Sequence, residues 1–114
     1  MDEVVRKIAG IGLPGVILII TMATTGFTGA AAITTALAML GPGGMLGGIA
    51  LLGIVGLVAD SLTKYGLDAL LKGVYLERYV KGESKEELLR EINSLPISKE
   101  LKLVLKDYLE TYEL

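Results

Sequence analysis

The 114-residue chain contains no cysteine, no histidine and no tryptophan. Without cysteine there is no disulfide, zinc-thiolate or thiol redox chemistry. Without histidine the commonest general base and the commonest metal ligand are both missing. Without tryptophan an interfacial aromatic belt falls to five tyrosines and one phenylalanine. The most informative absence is local. From Ile8 to Ala59 there is no Asp, Glu, Lys or Arg, a run of 52 residues that includes 12 glycines.

What remains is segregated. Four charged residues (Asp2, Glu3, Arg6, Lys7) precede the run, and the other twenty lie between Asp60 and Glu113. The net charge of −2 is too small to point to nucleic acid, and no basic patch is interleaved with aromatics. One domain fits the length. Mean hydropathy is +0.59, and a small domain has much surface and little interior in which to hide such a run. A single membrane crossing takes about 20 apolar residues. The run therefore reads as two helices back to back, reversing at Gly41-Pro42-Gly43-Gly44, which cannot continue a helix.

The expected architecture is all-α, in three parts. Residues 1–12 form an N-terminal lead; its two acids and the length of the apolar run argue against a cleaved signal peptide. Residues 13–59 form a glycine-rich transmembrane helical hairpin with its turn at 41–44. Residues 60–114 form a charged, amphipathic helical tail. Pro14 suits the first turn of the first helix, and Val16 to Ile20 is a bulky aliphatic stretch suited to lipid. Arg6 and Lys7 before the hairpin, and Lys64 and Lys72 after it, place both termini of an integral membrane protein in the cytoplasm by the positive-inside rule.

Three sets of residues stand out. Thr21, Thr24, Thr25, Thr28 and Thr35 follow helical spacing and form either a polar lining or a row of hydroxyls bonded back to carbonyls one turn earlier; the second is the simpler reading. Gly43, Gly44, Gly47, Gly48, Gly53 and Gly56, with Gly26 and Gly29 on the first helix, let backbones approach closely, either within one hairpin or between subunits. Asp60, Lys64, Asp68 and Lys72 recur every four residues, acid before base, as ion pairs along a helix that runs on towards Lys81. An acid at the apolar boundary, Asp60, is otherwise a candidate for titration or ion binding.

The tail carries its own punctuation. Ser84-Lys85-Glu86-Glu87 is a capping box, Pro96 is a break, and Ser98 caps a last helix. On that helix Leu101, Val104, Leu105, Tyr108, Leu109 and Tyr112 form an apolar stripe opposite Lys99, Lys102, Lys106 and Glu113. Its cover is the neighbouring helix, a second subunit, a partner protein or a membrane surface.

The stretch Gly26-Phe27-Thr28-Gly29-Ala30-Ala31-Ala32, continued by Ala36-Leu37-Ala38-Met39 and the glycines from Gly41 to Gly48, resembles the interferon-inducible small hydrophobic membrane proteins of animals. The likeness covers about residues 14–57, and the Lys/Glu-rich tail departs from it. The resemblance implies a membrane protein linked to innate defence, membrane permeability or cell death, and brings no catalytic residues.

No nucleophile-and-base spacing stands out, and the glycine turn lacks the Gly-Lys-Ser/Thr ending of a phosphate loop. An enzyme is not expected, nor a cofactor or a metal. The expected function is a self-associating integral membrane protein in contact with lipid, forming an oligomeric pore or membrane-disrupting effector, either defence-linked or holin-like. The alternative is a non-conducting scaffold, filament subunit or anchor whose tail recruits a protein partner. A third possibility is an assembly that buries the run between subunits.

Overall fold

The computed structural model of the chain describes residues 1–25 and 44–112, and the side chains of all of these but 25 and 44–53. Among the described residues the fold is all-α: α1 (Asp2–Ile11), α2 (Leu13–Thr25), α3 (Gly44–Tyr65), α4 (Leu67–Val80), α5 (Lys85–Ser94) and α6 (Lys99–Thr111).

The lead is itself an amphipathic helix. α1 buries Val4, Val5, Ile8 and Ala9 and exposes Arg6 and Lys7, with Lys7 Nζ 3.3 Å from Glu3 Oε1. Gly12 ends it at φ 88°, a left-handed conformation that side chains with a Cβ resist. α2 starts at once, with Pro14 in its first turn as expected.

α4 is the axis of the molecule. It touches all five other described helices, whereas α5 and α6 touch only α4 and each other. α1 lies close on α4: a Cβ added at Gly73 would stand 3.0 Å from a Val5 methyl. Leu70, Leu71, Val74 and Tyr75 of α4 join one core with α1, α2 and α3, and also with Leu88 and Ile92 of α5 and Leu101, Leu105 and Leu109 of α6. The caps stand where the sequence puts them: Ser84 Oγ accepts from the Glu87 amide at 3.4 Å, and Ser98 Oγ from the Leu101 amide at 3.1 Å.

The integral-membrane placement, with both termini cytoplasmic, is corrected by this structure. Among the described residues no helix is long and apolar enough to cross a membrane. Val16 to Ile20, the stretch assigned to lipid, is buried inside the protein along with Met22, and α2 packs on α1, α3 and α4. A helix that is apolar all round needs an apolar environment on every side, and a protein core supplies that as well as lipid does. From residue 54 onward α3 is one-sided. Ile54, Val58 and Leu62 are buried, while Gly56, Asp60, Thr63 and Lys64 are exposed, the pattern of a helix covering a core.

A second difference concerns the helix expected to run from the hairpin to Lys81. It is broken at Gly66, φ 87°, so Asp60 and Lys64 belong to α3 while Asp68 and Lys72 belong to α4. Of the turn expected at 41–44 only Gly44 is described, as the first residue of α3; of the stretches carrying the family resemblance, 26–43 lie outside the described residues, while Gly44, Gly47 and Gly48 lie on α3.

Candidate functional site

The main buried polar group is Arg78, on α4 beneath the loop to α5. Its Nε and Nη2 donate to Glu83 Oε2 and Oε1 at 2.7 and 2.9 Å, and its Nη1 and Nη2 donate to Glu91 Oε2 and Oε1, the second at 3.1 Å. The Tyr75 hydroxyl also donates to Glu91 Oε2, at 2.6 Å, and the guanidinium carbon lies 5.2 Å from the Tyr75 ring centre. The side chain of Arg78 is 6% exposed and that of Glu91 16%, against 42% for Glu83.

The electrostatics follow from this geometry. Burial, and then the hydrogen bond to anionic Glu91, raise the Tyr75 phenol well above its ordinary range. Burial by itself would lower the Arg78 guanidinium, but its bonds to Glu83 and Glu91 outweigh that and raise it instead. Both protons are held more firmly than in a free side chain. Among the described residues no buried side-chain nitrogen or oxygen lacks a hydrogen-bond partner. In this sense the cluster is closed: it ties α4 to α5 with its buried polar atoms all paired, while the Glu83 carboxylate reaches solvent. Sequence reasoning missed it, because the partners come together only once α5 folds back on α4.

α6 is fastened by lysines. Lys85 Nζ donates to the Tyr112 carbonyl at 3.0 Å, at the C-terminal end of α6, and sits 4.9 Å from the Tyr79 ring centre. Lys102 Nζ donates to the Asn93 carbonyl near the end of α5, and Lys106 Nζ to Asn93 Oδ1, both at 2.8 Å.

The residues singled out from sequence are dispersed. Lys64 Nζ stands 3.2 Å from Asp60 Oδ2, both side chains 60% exposed. Across the Gly66 break, Asp68 is exposed and Lys72 Nζ lies 5.5 Å from the Tyr108 ring centre. Thr24 Oγ1 bonds back to the Ile20 carbonyl at 2.9 Å, and Thr21 is half-buried in α2. Thr25 is the last described residue of α2. Thr28, Thr35, Gly26, Gly29 and Gly43 lie outside the described residues. Gly44, Gly47, Gly48 and Gly53 lie on α3. Gly56 is exposed on α3, and a Cβ placed there would meet nothing within 4 Å.

Two surface features remain. A groove of about 470 Å³ is lined by Ile20 and Thr24 of α2, Leu67 and Asp68 of α4, the Pro96–Ser98 connection, and Glu100, Leu101 and Val104 of α6. Its charged members are two acids with no base among them. On α6, Leu103 is 62% exposed, and Lys99, Glu100 and Asp107 are exposed around it. Leu103 was also missed from sequence, since it lies off the apolar stripe that Leu101, Leu105 and Leu109 turn inward.

Compared with protein-family models, curated proteins and solved structures, the chain matches none.

Proposed function

We propose that the chain is a non-enzymatic, self-associating helical module, a structural scaffold that acts through its surfaces. The observation that carries this reading is the position of Gly56. From sequence alone the glycines of α3 serve packing either within the chain or between chains. Gly56 is exposed, and among the described residues a Cβ added to it would meet nothing within 4 Å, so packing of α3 against the described core does not explain it. A glycine in an exposed helix costs about 1 kcal/mol relative to alanine. Close approach of another helix offsets that cost. α2 and α3 pack on each other, and among the described residues nothing covers the Gly56 side. The closed Arg78 cluster supports a structural role over a catalytic one. The scaffold reading is preferred to a membrane-spanning pore because among the described residues no helix is long and apolar enough to cross a membrane.

The test is Gly56→Leu followed by sedimentation velocity. Open space around Gly56 means the protomer accommodates the new side chain, so circular dichroism is expected to stay unchanged while the assembled fraction falls. A variant that assembles as the parent does would sink this reading.

A further inference from the structure

We infer that the exposed face of α6 pairs with the same face of a second copy of this chain, antiparallel, about a two-fold axis at Leu103. The inference rests on the reading of the chain as self-associating, and adds where and how.

α6 is held from one side only. Its buried stripe, Leu101, Leu105 and Leu109, packs on α4 and α5, and Leu103 is left as the most exposed large apolar side chain among the described residues, at 62%. The charges around it have an order. Four residues before Leu103 is a base, Lys99, and four residues after it an acid, Asp107; three before is an acid, Glu100, and three after a base, Lys106. These offsets place all four on the helical face beside Leu103.

When two antiparallel helices meet at a shared two-fold axis, a residue at +n on one faces the residue at −n on the other. Lys99 then meets Asp107 of the second copy, and Glu100 meets Lys106 of the second copy, each twice by symmetry. Leu103 packs on its own counterpart at the centre. Each of these four charges has an opposite partner, while Lys102, next to Leu103, is taken up by the Asn93 carbonyl at 2.8 Å. In a parallel pairing each charge meets its own kind instead, so the pattern selects the antiparallel dimer as well as stabilising it. Lys106 already reaches Asn93 Oδ1 at 2.8 Å, so the Lys99–Asp107 pairs carry the larger share. One leucine pair and a few exposed ion pairs make a small interface, hence a weak and salt-sensitive association.

The order of charges provides its own test. Lys99→Asp and Asp107→Lys are made separately in the full chain, and self-association is measured by sedimentation velocity at low salt. Each variant alone brings like charges together and is expected to self-associate roughly tenfold more weakly than the parent. An equimolar mixture sets two acids at positions 99 and 107 of one variant against two bases at the same positions of the other, and is expected to recover or exceed parental association. Leu103→Asp is expected to abolish the contact, with unchanged circular dichroism because the side chain is exposed. If the parent assembles, responds to Gly56→Leu, and ignores both charge variants and their mixture, the α6 pairing is overturned while the scaffold reading stands. A parent that is monomeric at every concentration overturns both.

Discussion

Arg78 is held by two carboxylates of unequal exposure, and the difference fixes which one matters. Glu91 is nearly as buried as the guanidinium it faces, whereas Glu83 is 42% exposed and screened by water. Arg78→Ala leaves the Glu91 carboxylate confined without its cation and is expected to cost about 3–5 kcal/mol. Glu83→Ala leaves Arg78 still paired with Glu91 and is expected to cost about 1 kcal/mol or less. Denaturant melts of the two variants read the gap directly; equal losses would contradict this assignment. Tyr75 supplies a pH signature. Its folded-state proton is held above the ordinary value of 10.0, so the stabilisation it gives is complete below about pH 10 and declines as pH rises from there. Tyr75→Phe should lower stability at neutral pH by about 2 kcal/mol, the worth of a hydrogen bond to a charged acceptor. It should also flatten the decline above pH 10. A variant that loses stability at high pH as steeply as the parent would show that the phenol is not the titrating group.

At the scale of helices, what was readable in the sequence was local. Ser84 and Ser98 cap through bonds to residues three positions on, so the caps of α5 and α6 lie open in the pattern. Of the six-residue stripe expected on α6, Leu101, Leu105 and Leu109 turn inward as their spacing indicates, Tyr108 is half-buried, and Val104 and Tyr112 are exposed. Gly66 did not stand out, because the residues on either side continue an amphipathic helix and a single left-handed residue leaves no mark on periodicity. Val16 to Ile20 could be read as apolar but not as protein-covered, since lipid and a protein core make the same demand on a side chain. Arg78 and Glu91 are 13 positions apart, and only packing brings them together. The glycines of α3 and of the break provide a paired test. Gly66→Ala, at φ 87° with open space around it, is expected to destabilise by about 1–2 kcal/mol through backbone strain alone. Gly56→Ala, helical and equally open, is expected to stabilise the protomer by about 1 kcal/mol. Changes of the same sign at both positions would mean that one of the two backbones is not as described.

At the scale of the whole molecule, a chain whose charge-free run reads as lipid-embedded places the described part of that run against its own helices. α4 makes this possible. It contacts α1, α2 and α3 as well as α5 and α6, so one helix serves both the greasy half and the charged half. What the interior does not use is turned outward: Gly56 on α3, and Leu103 among ordered charges on α6. Neither helps the isolated protomer. The claim that such surfaces meet other copies is tested most directly by sedimentation velocity of the purified full chain and its Gly56→Leu variant across a concentration series. Species larger than the 12.1 kDa protomer that grow with concentration, and shrink in the variant, are the expected result. A single 12.1 kDa species at every concentration would contradict it.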